Sequence, residues 1–329
     1  MKDFRSRILT VSAVIAALLL LTGCSSATLN PVKISETGQG FVVTEGEEEV
    51  MVYQRQHKSL DGKYTRANYI HPLYGLDGEI LTEDFPPDHL HHRGVFWAWH
   101  QVWLGEKKLG DPWAATDAFW DVYDAKILTP DSKSRALQVR VYWKSPLWTD
   151  AAGKQKPFVK ETTTIRVHRA ENDIRKVDFQ IELLALEDDM RLGGSEDEKG
   201  YGGFTTRVPL PDGLSFIGTD GPVEPTTLSV EAGPWLDFSG NLGKDGKVSG
   251  LAILCHNSSP GYPQRWILRR KGSAQNPVYP GRHPVLLSRE KPLVLRYRLI
   301  IHRGDSGHID LNGLQAEYNS EIFPVFESR

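Results

Sequence analysis

The sequence predicts an all-β fold, one large antiparallel β-sandwich. Three observations carry that reading: long stretches alternate apolar and polar residues with period two, turn-forming residues separate them, and no stretch of the body shows an apolar stripe at helical spacing. Strands that follow one another without helices argue against a parallel sheet, whose neighbours need long and usually helical crossovers.

At the amino terminus Lys2, Arg5 and Arg7 precede an apolar run from Ile8 to Leu21, which closes on Leu21-Thr22-Gly23-Cys24. A basic start, an apolar middle too short for an ordinary span and a small-residue end form the pattern of a secretory signal, here residues 1–23. The Leu-Thr-Gly-Cys ending resembles a bacterial lipobox. That implies cleavage before Cys24, lipid on its thiol and stable anchoring by several acyl chains. Ser25 stands where an aspartate would favour inner-membrane retention, so the expected place is the outer membrane, facing the periplasm. Residues 24–36 read as a polar tether and 37–329 as a single β-sandwich domain. After Cys24 only Cys255 remains, so that domain is expected to hold together without an internal disulfide.

The strands follow in order. Phe41 to Thr44 and Val50 to Gln54 come first, and Val95 to Val102 follows the histidine-rich segment. Leu137, Val139, Val141 and Trp143 then alternate with Gln138, Arg140 and Tyr142, and Val159 to His168 continues the series. Val177, Phe179, Ile181 and Leu183 alternate with Lys176, Asp178, Gln180 and Glu182, which predicts one buried and one wet face. Leu251 to His256, Trp266 to Arg269 and Leu293 to Ile301 complete the set. Asn172-Asp173, Pro211-Asp212-Gly213 and Lys244-Asp245-Gly246 mark turns between strands. The one helix candidate is short, Ile309 to Tyr318.

A net charge of −3 with no basic stripe argues against nucleic acid as a partner, and a small carbohydrate-like ligand fits better. Nucleotide chemistry is unsupported, because no phosphate-cradling glycine loop, dinucleotide fingerprint or Gly-x-Ser-x-Gly elbow occurs.

Chemistry concentrates in Asp84-Phe85-Pro86-Pro87-Asp88-His89-Leu90-His91-His92-Arg93-Gly94. Four of the eleven histidines, His89, His91, His92 and His100, lie between positions 89 and 100. Imidazole suits both proton transfer near neutral pH and metal binding. In an extended segment His89 and His91 point to one face and His92 to the other. That pair would offer two ligands to a divalent metal, completed by Asp84, Asp88, His100, His71 or His256. Without a metal, Asp88 is placed to orient an imidazole, although Pro86-Pro87-Asp88 is equally good turn chemistry. Arg93 is a clamp for hydroxyl or carboxylate groups or else a partner for Asp84. Trp97 and Trp99 belong to an aromatic stretch from which one or two rings are expected to line a sugar-binding cleft. Lys199 and Arg207 flank a glycine-rich strand, and His256 ends an apolar strand on a loop.

Tyr69-Ile70-His71-Pro72-Leu73, Asp88 to Gly94, the strand ending at Arg207, and Gly250 to His256 through Pro263-Gln264-Arg265-Trp266 together resemble a family of bacterial proteins known as PmoA-like and often labelled methane oxygenase. Where that family opens its last loop with an Asp-His-Pro-like run, this chain has Cys255-His256-Asn257. Methane oxidation by a membrane subunit would need apolar spans of about twenty residues, which the chain after Cys24 lacks, so that label is set aside. The resemblance implies a large β-sandwich similar to the galactose-mutarotase supersandwich, in which a histidine and a carboxylate share acid/base work on a sugar.

The expectation that follows is a lipid-anchored, carbohydrate-active protein: a hydrolase, lyase or epimerase. His89, His91, His92, Asp88 and His256 are its catalytic candidates, and Arg93, Lys199, Arg207, His71, Trp97 and Trp99 contact the substrate. A non-catalytic sugar-binding lipoprotein and a metal-dependent oxygenase or isomerase are the alternatives.

Overall fold

The computed structural model describes residues 30–323; the signal read over 1–23, Cys24 with its expected lipidation, and the first part of the tether lie outside them. The tether reading needs one correction within the described residues. Val32–Glu36 is a strand, paired antiparallel with Gly40–Glu45 from Val32 opposite Glu45 to Glu36 opposite Phe41. Lys33, Ser35 and Glu36 made it look like linker, but polar residues are also what an exposed edge strand carries.

Two large antiparallel sheets make the body. One has six strands, in the order Val32–Glu36, Gly40–Glu45, Glu48–Gln54, Tyr69–Leu73, Val95–Ala98 and Gly203–Thr206. The other has nine, with Phe119–Leu128, Ser134–Thr149, Gln155–His168, Ile174–Ala185, Leu293–Arg303, Ser249–Cys255 and Trp235–Gly240 as its long run. The predicted alternations set the facing surfaces. Leu137, Val139, Val141 and Trp143, then Val177, Phe179, Ile181 and Leu183, join Ile70, Val95, Trp97 and Phe204 in one buried apolar cluster. Removal of these side chains from water is the main drive for the fold.

Three elements differ from expectation. The stretch Val95 to Val102 breaks at Trp99-His100: Val95–Ala98 stays in the six-stranded sheet, while Gln101–Leu104 joins a four-stranded one. Of Trp266 to Arg269 only Trp266–Ile267 pairs, with Asn276–Pro277. The helix runs Leu311–Ser320, because Asp310 caps it by accepting from the Gly313 backbone N–H at 2.8 Å.

The outer faces matter most for function. On the nine-stranded sheet, Trp235, Ala252, Leu254 and Ile300 lie under Leu311 and Tyr318 of the helix. The wet face expected beside Val177 to Leu183 is therefore partly covered: Asp178 is buried, ion-paired with Arg298. On the six-stranded sheet, Tyr69, Phe96 and Ala98 lie under Trp113, with Tyr201 packed beside them.

Candidate functional site

The histidine segment is a turn stack on the outer face of the six-stranded sheet, not an extended strand. Asp84 and Arg93 bridge at its base, and inside it the backbone N–H groups of His89 and His92 donate to the carbonyls of Pro86 (3.0 Å) and His89 (2.8 Å). The turn chemistry of Pro86-Pro87-Asp88 thus prevails over extension. The coil brings the three rings together. His89 stacks on His92 with centroids 4.7 Å apart, and His91 meets His92 edge-on at 4.6 Å.

Arg93 is fully buried and structural. Its guanidinium pairs with Asp84, donates to the Tyr69 hydroxyl at 2.6 Å and the Tyr64 carbonyl at 2.9 Å, and stacks on Phe85. No donor is left in reach of a substrate, which corrects its assignment as a clamp.

Asp88 is held from three sides. Arg207 grips it with Nη2 on Oδ1 at 2.6 Å and Nη1 on Oδ2 at 3.0 Å, and the Ser273 backbone N–H reaches Oδ2 at 2.8 Å. His89 Nδ1 lies 2.9 Å from the same Oδ2. Burial alone would raise this carboxyl, but the hydrogen bonds from His89, Ser273 and Arg207 outweigh it and hold Asp88 well below the usual carboxylate range. An ionised Asp88 fixes the proton on His89 Nδ1 and leaves Nε2 as the ring's free nitrogen. Arg207 itself is nearly buried and also pairs with Glu83 at 2.8 Å, so it positions Asp88 and does not meet a ligand.

His89 opens onto a cleft of about 260 Å³. Trp113 and Tyr201 wall it, with ring centroids 5.0 Å apart, and Lys199, Arg269 and Lys271 supply its charge. Trp113 is set from behind: Arg66, itself buried, donates to the carbonyls of Pro112 (2.6 Å) and Trp113 (3.0 Å), while His100 stacks on the indole at 5.4 Å. His100 is steadied in turn by Asp111, 2.8 Å from its Nδ1.

The other predicted residues divide. Lys199 lines the cleft, in contact with Asp197 at 3.1 Å. His91 and His92 sit behind His89. Burial, with the neighbouring histidines adding to it, lowers His91 to about 4 and His92 to about 2, so both rings are neutral at ordinary pH. Trp97 and Trp99 point the other way, into the core, where their indole N–H groups donate to Glu161 (2.8 Å) and the Tyr279 carbonyl (2.8 Å). His71 bonds Thr82 at 3.0 Å and does not line the cleft. His256 belongs to a different place. It follows the strand Ser249–Cys255 on the face of Ala252 and Leu254, bonds Ser258 at 2.7 Å and packs edge-on against Tyr318 of the helix at 4.9 Å. The two candidate groups therefore occupy opposite outer faces of the sandwich, and His256 is removed from the site. Among the described residues no three His, Cys, Asp or Glu side chains are grouped to hold a metal ion, so the proposed pair His89 and His91 gains no third ligand.

Tyr201, Arg269 and Lys271 are site residues that the sequence did not single out, while Trp113 belongs to the aromatic stretch from which one or two rings are expected to line a cleft. The usable signal was the basic run Arg269-Arg270-Lys271 directly after an apolar strand, followed by a Gly-Ser turn.

A family model described as a family of unknown function, DUF6807, matches residues 41–315. This overturns the resemblance to PmoA-like proteins, to which no comparison points. No curated protein matches the chain. Among solved structures, the crystal structure of YeaD from Salmonella typhimurium, described as a candidate mutarotase, is similar at 13% identity and a TM-score of 0.31, covering 83% of this chain and 88% of that one. A likeness so slight carries no function across.

Proposed function

The chain belongs to DUF6807, a family of unknown function, and we propose from its own cleft that it binds a carbohydrate there and processes it by acid/base chemistry at His89. The observation that supports this most is the Asp88–His89 pair at the cleft mouth, with Arg207 fixing the carboxylate from behind. A histidine kept for packing does not need a carboxylate on one nitrogen and open cleft beside the other. A proton-transfer group needs both. In this reading Nε2 of His89 takes a proton from, or returns one to, a sugar hydroxyl or glycosidic oxygen. Asp88 keeps the tautomer and offsets the charge that the ring gains. Tyr201, half-exposed and backed by the buried Trp113, offers an apolar ring to a sugar, and Ser273 and Lys199 on the cleft wall offer polar groups to its hydroxyls.

The test is a glycan-turnover screen with the full chain, repeated with His89→Ala and Asp88→Asn. Turnover should fall by about 10²–10⁴-fold in His89→Ala and less in Asp88→Asn, with unchanged circular dichroism. Activity that survives His89→Ala would refute the reading. A ligand that binds without turnover in the wild type would make the protein a carbohydrate binder instead.

The same proposal places the protein on the cell envelope, anchored through lipid on Cys24. Cys24→Ala should abolish labelling by radioactive acyl precursors; persistent labelling would sink the anchor.

A further inference from the structure

Resting on the reading of the His89 cleft as a carbohydrate site, we propose that its ligand is an acidic oligosaccharide, whose anionic groups lie along Arg269 and Lys271 and whose chain continues from the cleft into the adjoining groove.

The cleft does not end at Arg269. A second groove of about 710 Å³, lined by Thr226, Thr227 and Arg270, shares both Lys199 and Arg269 with the first. Together they offer more length than a single sugar ring fills, with Arg269 at the junction.

The charge at that junction is uncompensated. The Arg269 guanidinium donates to three backbone carbonyls, those of Thr226 (2.8 Å), Thr227 (2.9 Å) and Leu268 (2.8 Å). Carbonyls hold a guanidinium still without neutralising it, and no carboxylate pairs with Arg269 or Lys271 among the described residues. The neighbouring cations differ: Lys199 has Asp197 and Arg270 has Glu224 at 2.9 Å. Asp88, behind His89 at the same cleft, is already taken by Arg207 and His89. In a chain whose net charge is −3, two unpaired cations beside the Tyr201 ring, Arg269 held by carbonyls and Lys271 exposed, are a local feature and not a general excess of basic residues. A neutral sugar would leave those cations with water alone. A carboxylate or sulfate ester on a sugar ring resting against Tyr201 would gain charge-assisted hydrogen bonds from Arg269 and Lys271. The Tyr201 ring favours an acidic sugar over a free inorganic anion, which has no face to stack.

Calorimetric titration of the full chain distinguishes the cases, with three probes: a galacturonate trisaccharide, its carboxyl-reduced neutral counterpart, and a sulfated galactose trisaccharide. One charged probe should bind at least about tenfold more tightly than the neutral one, and added salt should shrink the difference. Which of the two prevails assigns carboxylate or sulfate. Lys271→Ala, an exposed position, and Arg269→Gln should each weaken the charged probe by about tenfold, the worth of one hydrogen bond to a charged group. The neutral probe should lose clearly less than the charged one in both variants, and Arg269→Lys should restore most of the charged probe's affinity. Equal binding of neutral and charged probes would overturn the charge assignment and leave the carbohydrate reading intact. Binding of none of the three, or of inorganic sulfate as tightly as the trisaccharides, would overturn the inference as well. Failure of the underlying reading shows elsewhere, as turnover that persists in His89→Ala.

Discussion

Among single residues, three neighbouring histidines have separated into one open ring, His89, one half-buried, His91, and one buried, His92, and the last two tie stability to pH. His91 and His92 are lowered from 6.5 to about 4 and about 2, first by burial and then by the neighbouring histidines, His89 for His91 and both others for His92. The unfolded chain therefore takes up protons near pH 6.5 that the folded chain refuses. Their contribution to stability is complete above that value and is lost as pH falls from it toward about 4, at up to about 1.4 kcal/mol per pH unit for each ring. His92 lies among His89, Phe96 and Trp113, and its buried Nδ1 has no hydrogen-bond partner among the described residues. His92→Phe should therefore fold, and its urea midpoint should fall less than that of the wild type between pH 7 and pH 5. An unchanged acid slope would mean that His92 does not titrate as described. The sequence made this segment conspicuous but could not divide its labour. Asp88-His89 was readable as adjacent residues, whereas the stacking of His89 on His92 depends on a turn that an extended reading replaces with alternating faces.

For strands, period-two alternation was legible wherever one face meets the core, as at Leu137 to Trp143. It misled where a later element covers the other face: Asp178 and Arg298 look solvated in sequence, yet lie buried beside the helix and Glu321. It was silent on Glu161, whose place in a run of threonines gives no sign of depth. That carboxylate sits between the sheets and accepts from Asn68 Nδ2 (2.9 Å), Trp97 Nε1 (2.8 Å), Trp143 Nε1 (2.7 Å) and Thr163 Oγ1 (2.6 Å). It thus joins the strand Gln155–His168 to Val95–Ala98 on the facing sheet and Ser134–Thr149 on its own. Burial pushes its carboxyl upward despite those four donors. Glu161→Ala leaves three buried N–H groups unpaired, each worth about 1–3 kcal/mol, so a loss of at least about 3 kcal/mol is expected in chemical denaturation. Glu161→Gln keeps the shape and one acceptor and should lose less. Equal losses in the two variants would show that volume, not hydrogen bonding, matters there.

Across the whole molecule, the question is which outer face carries the chemistry, and here the sequence had least to say. Leu251, Ile253 and Cys255 face the core, and Ala252, Leu254 and His256 face the helix. Both rows are apolar, so alternation could not show that His256 points away from the sheet that bears His89. That separation is set by pairings between distant segments, such as Thr206 with Val95 and Leu251 with Ile301. It makes His256 a packing residue, lowered to about 4 by burial and then by Arg296, wedged against Tyr318 and Phe323. His256→Ala should therefore leave turnover within about twofold of the wild type on any glycan for which His89→Ala abolishes it, since the truncated ring touches nothing near the cleft. Its effect should appear in the helix Leu311–Ser320, whose amides should exchange faster with deuterium because an aromatic contact beneath it is lost. If instead turnover fell a hundredfold while helix exchange stayed the same, the chemistry would reach across the sandwich, and the assignment of one active face to this molecule would be wrong.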